Sequence, residues 1–196
     1  MRKKLLGLVF DFVYRHPTIF RVFSDIIFGE KMRVWRKMAA TEMPKTPNVL
    51  EIGCGMYPAI DRGVVLDASL PLLGNIPPGS GYRSVWASAT NLPFPDGSFD
   101  AVLSVFPTGV VTDGFFRDRA FWQEVLRVLS VGGMYIAAVH VAYRSWFWKI
   151  LVRIIDPFPK NFWQTTRSLA AGFHIRERRV MDPWGNELIV AEATKQ

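Results

Sequence analysis

The residues best suited to chemistry in this chain are two glycines and an acid, each placed at the end of an apolar run. Gly53 and Gly55 directly follow Val49–Ile52, and Asp67 ends the next run, residues 63–67. This pattern is typical of a buried parallel strand ending in a tight turn, because glycine lets the backbone turn sharply and approach a ligand closely. In doubly wound α/β folds such a turn holds a nucleotide, and an acid at the tip of the second strand can accept hydrogen bonds from both ribose hydroxyls of an adenosine.

Four stretches, in order along the chain, resemble the motifs of class I S-adenosylmethionine (SAM)-dependent methyltransferases. They are Val49–Pro58 (motif I), Asp67–Ser69 (motif II), Leu92–Val102 and Leu126–Met134, and together they span about residues 48–140. The resemblance implies an α/β, Rossmann-like doubly wound fold. Its sheet would be mainly parallel and seven-stranded, with an antiparallel C-terminal hairpin, and N-terminal amphipathic helices would precede it. The resemblance also implies SAM as the cofactor.

The same resemblance assigns cofactor-binding roles to particular residues. Asp67 would hold the ribose, Ser88 would accept from the adenine amino group, and the backbone N–H of Ala89 would reach an adenine ring nitrogen. The family usually has an aspartate where this chain has Ser88, so recognition there would lack a charge. The full expected set is Glu51, Gly53, Cys54, Gly55, Tyr57, Asp67, Ala68, Ser88, Ala89 and Phe106.

The chain departs from the family pattern between its first two motifs. Only twelve residues lead from Gly55 to Asp67, where about 20 usually accommodate a crossover helix. Tyr57 stands at the place of the family's third glycine; it would either wall the methionine end of the pocket or pack on the shortened connection. We interpret Cys54 as a small filler of the turn rather than a reactive thiol.

The length and composition are those of one domain, and the charge of the chain is unevenly distributed along the sequence. The chain has 196 residues, one cysteine and a formal net charge of +7. A single cysteine excludes an internal disulfide and is compatible with a reducing compartment. Residues 1–45 carry ten cations against four acids, a balance of +6, and residues 144–167 carry five against one, a balance of +4. The remainder is therefore mildly acidic, which indicates two basic docking surfaces outside the cofactor motifs.

The first of these basic segments supports two interpretations. Residues 1–45 mix cations with apolar and aromatic residues, and no stretch reaches the roughly 20 apolar residues that cross a bilayer. They would form amphipathic helices that pack over the sheet or the cofactor, or an interfacial segment that meets anionic lipid. One segment can do both. We predict 1–45 as a basic N-terminal helical region and 46–196 as the SAM-binding domain.

The second basic segment is an apolar insert at residues 141–167, where methyltransferases build much of the acceptor pocket. It holds three tryptophans, and cations are interspersed among its apolar residues. Tryptophan prefers the membrane boundary and Lys or Arg snorkels beside it. We therefore favour a lipid-facing insert over ordinary helix-on-sheet packing. This predicts a hydrophobic acceptor, a membrane-facing lip, or both.

Few side chains offer general acid–base chemistry. His140, at the end of the predicted fifth strand, is the best-placed candidate base, although an ordinary hydrogen-bonded histidine beside the sheet explains it as well. His16 and His174 have weaker claims. The sequence shows no metal-ligand spacing, so no metal is expected. We interpret Asp100 as a structural acid that fixes a turn.

The leading hypothesis is SAM-dependent methyl transfer to a small lipophilic acceptor, such as a lipid, quinone or thiol-like compound. The enzyme would be cytoplasmic and peripheral at the inner face of an anionic membrane. The alternatives are a soluble small-metabolite methyltransferase and a degenerate SAM-binding module without catalysis. No base-flipping motif or RNA-binding module is visible, so nucleic acid is not expected as a partner. Oligomeric state is left open by the sequence.

Overall fold

The described part of the chain is organised around one sheet. The computed structural model describes residues 8–9, 12–27, 29–77, 81–105, 118–142, 146, 172–185 and 187–195. The strands are β1 (Val49–Ile52), β2 (Arg62–Asp67), β3 (Gly81–Trp86), β4 (Phe99–Val105), β5 (Leu129–Ala142), β6 (Phe173–Met181) and β7 (Glu187–Lys195). They form one seven-stranded sheet in the order β3-β2-β1-β4-β5-β7-β6.

Strand direction puts the predicted chemistry at one edge of this sheet. β1 runs parallel to both β2 and β4, β5 runs parallel to β4, and β7 is antiparallel to β5 and β6. All four residues of β1 are buried, as expected for a central parallel strand covered on both faces. The predicted fold is thus confirmed. Because β1 and β2 are parallel neighbours, the glycine turn and Asp67 emerge side by side.

Helices cover the two faces of the sheet. Those named among the described residues are α1 (Pro17–Ile27), α2 (Lys31–Thr41), α3 (Leu70–Leu73) and α4 (Arg119–Val128). The α4 residues Phe121 and Val125 share a core cluster with Leu50, whereas Ala39 of α2 shares a second cluster with Val49. Successive residues of a strand point to opposite faces. The two clusters therefore lie on opposite sides of the sheet.

Hydrogen bonds tie α2 to two distant parts of this sheet. Trp35 donates from Nε1 to the buried Oδ2 of Asp182 at 2.6 Å, in the turn between β6 and β7. Arg36 donates from NH1 to Oε1 of Glu51 in β1 at 3.0 Å. α2 is thus part of the core on its side of the sheet. The division of the chain near residue 45 stays a prediction.

α1 presents different residues to the protein and to solvent. Ser24 is buried and Phe20 is half-buried, whereas Ile19, Val22 and Ile26 are exposed. The exposed three recur at i, i+3 and i+7, so they lie along one helix face. No described helix combines the length and the apolar character needed to cross a bilayer.

Asp100, at the start of β4, has the structural role predicted for it. Its Oδ2 accepts from Thr46 Oγ1 at 2.5 Å and from Asn48 Nδ2 at 3.1 Å, and its Oδ1 accepts from Ser130 Oγ at 3.3 Å. These bonds join the residues before β1 with the start of β5. All of them lie at the amino ends of the strands, away from the glycine turn.

Arg127 joins the third and fourth sequence motifs. Its guanidinium donates to the carbonyl oxygens of Leu92 and Phe94 at 2.9 and 2.7 Å, and to Asp96 at 2.9 Å. Glu124, one turn earlier on α4, receives two further bonds from Arg127 and itself accepts from the Leu92 N–H. Arginine alone offers donors in this fork geometry. The motif residues therefore hold the loop before β4 in place.

Replacing Arg127 with lysine should destabilise the protein although the charge is kept. A lysine cannot reach the two carbonyls and both acids together, and we expect a loss of about 2 kcal/mol in the free energy of unfolding. Urea denaturation measures this as a lower midpoint with an unchanged slope. Arg119→Lys, at the exposed start of the same helix, is the matched control. Equal midpoints for the two variants would contradict this role of Arg127.

Candidate functional site

The turn after β1 has the backbone geometry that glycine permits. Gly53 and Gly55 have φ values of +76° and +59°, which side-chain-bearing residues rarely adopt. The Gly53 N–H donates to the carbonyl of Leu66 at 2.8 Å, which fastens the turn to the end of β2. Between them Cys54 is fully buried, and burial raises the pKa of its thiol. Cys54 therefore fills space in the turn, as interpreted from the sequence.

Asp67 is held against this turn by backbone donors. Its Oδ2 accepts from the Gly55 N–H and its Oδ1 from the Ser69 N–H, both at 2.8 Å. Burial raises the pKa of the carboxyl, and the same two donors act in the opposite direction. A carboxylate offers about four lone-pair positions. Each oxygen can therefore accept one more bond, for example from a ribose hydroxyl.

A cleft of about 520 Å³ opens at this edge of the sheet. Its volume is within the usual range for small-molecule sites. Five of the predicted residues line it together: Gly53, Asp67, Ala68, Ser88 and Ala89. We call it the adenosine cleft because the resemblance assigns three of these residues, Asp67, Ser88 and Ala89, to the nucleoside. A nucleoside-sized space thus lies between the glycine turn and the acid.

Other residues of the adenosine cleft were missed by the sequence reasoning. They include Tyr14, Arg15, Ser69, Trp86 and Thr90. Trp86 is 63% exposed, and its Nε1 donates to the Ala68 carbonyl at 2.9 Å, so its indole spans the ends of β2 and β3. The signal that could have found Trp86 was its place as the last residue of β3. Nothing in the sequence pointed to Tyr14.

The N-terminal segment closes over the glycine turn. The carbonyl of Tyr14 accepts a hydrogen bond from Ser69 Oγ at 2.8 Å. The Phe20 ring lies 3.9 Å from the position that a Cβ on Gly55 would occupy, and its centroid is 6.4 Å from that of Tyr57. The start of α1 and the residues before it therefore cover the glycine turn and the end of β2.

Comparison with known proteins agrees with this geometry. The family profile described as a methyltransferase domain matches residues 63–137. A ubiquinone/menaquinone biosynthesis C-methyltransferase of Xanthomonas oryzae pv. oryzae is 31% identical over 151 residues, which cover 67% of this chain and 57% of that protein. Together with the fold, these matches support a class I SAM-dependent methyltransferase. SAM is the methyl donor of this family.

Further similarities extend the comparison. A fatty-acid O-methyltransferase of Mycolicibacterium smegmatis is 30% identical over 128 residues, covering 58% of this chain and 44% of that protein. The chain thus spans about half the length of these relatives. Among solved structures, a SAM-dependent methyltransferase from Thermotoga maritima superposes with a TM-score of 0.67 and 16% identity. The match covers 94% of this chain and 99% of that chain. One from Aquifex aeolicus covers 92% and is 98% covered, with a TM-score of 0.65 and 12% identity. At such identities the structures share the fold.

Glu51, although expected at the cofactor, has a different set of partners in the structure. It is fully buried and does not line the adenosine cleft. Its Oε1 accepts from Arg36, and its Oε2 accepts from the N–H groups of Ala59 and Ile60 at 2.7 and 3.2 Å. Burial raises the pKa of Glu51, and Arg36 and the two amides lower it in part. Glu51 thus holds the short connection between β1 and β2, which contains no helix.

The remaining predicted residues are distributed as follows. Gly55 lies beside Asp67, but Tyr57 faces a second cleft behind the turn. The backbone of His140 lies in β5 opposite Leu188, next to a bulge, while its side chain is outside the described residues. Phe106 and nearly all of the 141–167 insert are outside them too. In the part that the structure describes, no cluster of His, Cys, Asp and Glu could hold a metal ion.

Proposed function

We propose that this protein transfers a methyl group from SAM to a small lipophilic acceptor at a membrane surface. The observation that carries the proposal is the adenosine cleft, in which Gly53, Asp67, Ala68, Ser88 and Ala89 meet. Residues up to 36 positions apart in the sequence, Gly53 and Ala89, come together there, at the strand edge where open α/β sheets bind ligands.

The proposed cofactor contacts follow from the donors and acceptors in this cleft. Asp67 would accept from the two ribose hydroxyls with the lone pairs that Gly55 and Ser69 leave available. Ser88 Oγ accepts from the Thr90 N–H at 3.2 Å and lies 2.9 Å from Thr90 Oγ1. By donating to Thr90 Oγ1, Ser88 would keep one acceptor position for the adenine amino group. Trp86 provides an exposed aromatic surface at the cleft, and such surfaces stack on bases.

Catalysis by these residues would consist mainly of alignment. When bound, SAM supplies a methyl group on a sulfonium sulfur: the acceptor attacks the methyl carbon directly, and the sulfur leaves as the thioether of S-adenosylhomocysteine. The chain would position the acceptor in line and exclude water, for which the lid formed by Tyr14 and Phe20 is suited. A base is needed only if the acceptor must lose a proton. His140 would fill that role.

A lipophilic acceptor is supported by the relatives and by the apolar insert. The named relatives are a methyltransferase of ubiquinone and menaquinone biosynthesis and a fatty-acid O-methyltransferase. Residues 141–167 supply tryptophans and other apolar residues where methyltransferases bind the acceptor. We therefore propose a quinone-like or acyl compound in preference to a water-soluble metabolite.

Membrane contact is proposed to occur through α1. This helix directs Ile19, Val22 and Ile26 to solvent, and the region 1–45 carries a balance of +6. An apolar face flanked by cations is the pattern of interfacial helices on anionic lipid. The enzyme would then be peripheral at the cytoplasmic face of a membrane, with its lid next to the lipid.

Replacing Ile26 with glutamine should release the protein from anionic vesicles. Ile26 is 77% exposed, and inserting such a side chain into lipid contributes about 1.5–3 kcal/mol, which corresponds to about a tenfold or larger loss of partitioning. Flotation with phosphatidylglycerol vesicles measures the bound fraction. Val131→Gln is the control, because Val131 is 84% exposed at the opposite end of the strands. Equal losses for both variants would contradict docking through α1.

Methyl transfer itself is tested with SAM labelled on its methyl group. A demethylated quinone and a fatty acid in mixed micelles, and a water-soluble amine, serve as acceptors. Label in the quinone or fatty acid supports the proposal, whereas label in the amine alone favours a soluble metabolite. Tight S-adenosylhomocysteine binding without turnover would favour a SAM-binding module, a candidate suggested by the helix-free connection after β1 and by Ser88.

A further inference from the structure

A second cleft, of about 840 Å³, lies behind the glycine turn and is lined with cations. Four of them come from the N-terminal helices: Arg21 of α1 and Arg33, Arg36 and Lys37 of α2. Two acids, Asp25 and Asp61, also line it, which leaves a formal charge of +2. We call it the basic cleft. It shares no lining residue with the adenosine cleft.

The basic cleft lies beside the shortened connection between β1 and β2. Its opposite wall is formed by residues 56–59 and 61 and by Tyr82 at the start of β3. A crossover helix would ordinarily run between these strands, but residues 56–61 contain none. The helix α2 faces this wall, and its cations are directed at the space.

Arg36 is the buried member of this group. Its side chain is 9% exposed and its NH1 is paired with Glu51. The Nε of the same guanidinium is buried and has no hydrogen-bond partner among the described residues. An unsatisfied buried donor on a cation costs free energy. A second acceptor in the cleft, beyond Glu51, would satisfy it.

We propose that the basic cleft binds a phosphate group. A phosphate ester carries a charge near −2 at neutral pH and three acceptor oxygens, which suit the several guanidinium donors and the excess of cations over acids in the lining. Arginine pairs with phosphate through two parallel bonds, and lysine adds a point charge. The apolar wall made by Met56, Pro58 and Ala59 would contact the organic part of the ester. This site is independent of the proposed methyl transfer.

The test compares the double variant Arg33→Gln/Lys37→Gln with Lys45→Gln/Arg83→Gln in the full chain. Each pair removes two exposed positive charges, but only the first pair lines the basic cleft. Arg36 is left in place because Glu51 depends on it. Titration calorimetry measures the affinity for glycerol 3-phosphate. Flotation measures the fraction of protein bound to phosphatidylglycerol vesicles and compares it with the fraction bound to phosphatidylcholine vesicles. S-adenosylhomocysteine binding is measured on the same samples as a check of the fold.

We expect the cleft variant to lose about tenfold or more in affinity for the phosphate probe and the control variant to lose little. Binding of glycerol 3-phosphate identifies a soluble ester as sufficient. If the cleft variant loses binding to phosphatidylglycerol vesicles and neither protein binds glycerol 3-phosphate, the ligand is a lipid headgroup. Equal effects of the two variants on both probes would overturn the proposal, and so would competition between glycerol 3-phosphate and S-adenosylhomocysteine, which would mean a single site. Failure of methyl transfer would leave these outcomes unchanged.

Discussion

Replacing Asp67 with asparagine should weaken S-adenosylhomocysteine binding about 100-fold. The amide keeps the size of the side chain but loses the charge, and its NH₂ group would face a backbone donor where Oδ2 now accepts from Gly55. Two charge-assisted bonds to ribose hydroxyls, each contributing about 1.5 kcal/mol, account for this loss. Calorimetric titration of both proteins measures it.

The control for this prediction is Asp61→Asn, which changes an exposed acid just before β2 that is not part of the adenosine cleft. Its affinity should stay within about twofold of the wild type, since surface substitutions away from a site have small effects. A far-ultraviolet spectrum like that of the wild type shows that Asp67→Asn folds. Unchanged affinity in folded Asp67→Asn would mean that the ribose is bound elsewhere or not at all.

Removing the buried cation Arg36 should have the largest effect on stability. In Arg36→Met the fully buried Glu51 loses its charged partner. Breaking a buried ion pair in this way costs about 3–5 kcal/mol, a large part of the 5–15 kcal/mol that holds a typical protein folded. Urea denaturation measures the loss. Lys37→Met, the exposed neighbour on α2, should change the free energy of unfolding by less than about 0.5 kcal/mol.

The effect of Arg36→Met should also depend on pH. Burial already raises the pKa of Glu51 above its ordinary value, and Arg36 opposes this shift. Without Arg36 the pKa of Glu51 in the folded state rises further. In acid Glu51 is protonated, and its burial without a charged partner is tolerated. The variant therefore loses stability as the pH rises through the folded-state pKa. In Arg36→Met/Glu51→Gln the acid is gone and the extra pH dependence should vanish. A loss independent of pH in Arg36→Met would contradict this role of the pair.

Much of the adenosine cleft could be predicted because it depends on local sequence. A glycine turn after one strand and an acid after the next are read directly from residue types and spacing. The roles of Ser88 and Ala89 after the third strand came from the resemblance to methyltransferases. Parallel pairing of β1, β2 and β3 then brings Gly53, Asp67 and Ser88 together without further information. The fold followed from the same motifs.

The contacts that could not be predicted are those between distant segments. Tyr14 and Phe20 reach the site from a helical region whose sequence indicates only that it is amphipathic and basic. Glu51 belongs to the first motif, but its partner Arg36 lies on a helix outside every motif. Neither residue type nor spacing reveals which buried acid pairs with which cation, because this depends on how α2 packs on the sheet.

The most direct test of the central claim is a crystal structure with S-adenosylhomocysteine bound. We predict density for the adenosine beside Gly53, with both ribose hydroxyls about 2.6–3.0 Å from the oxygens of Asp67. The adenine should lie between Trp86 and Ala89. A nucleoside bound at any other place would contradict the account, and so would an Asp67 carboxylate that keeps only its bonds to Gly55 and Ser69.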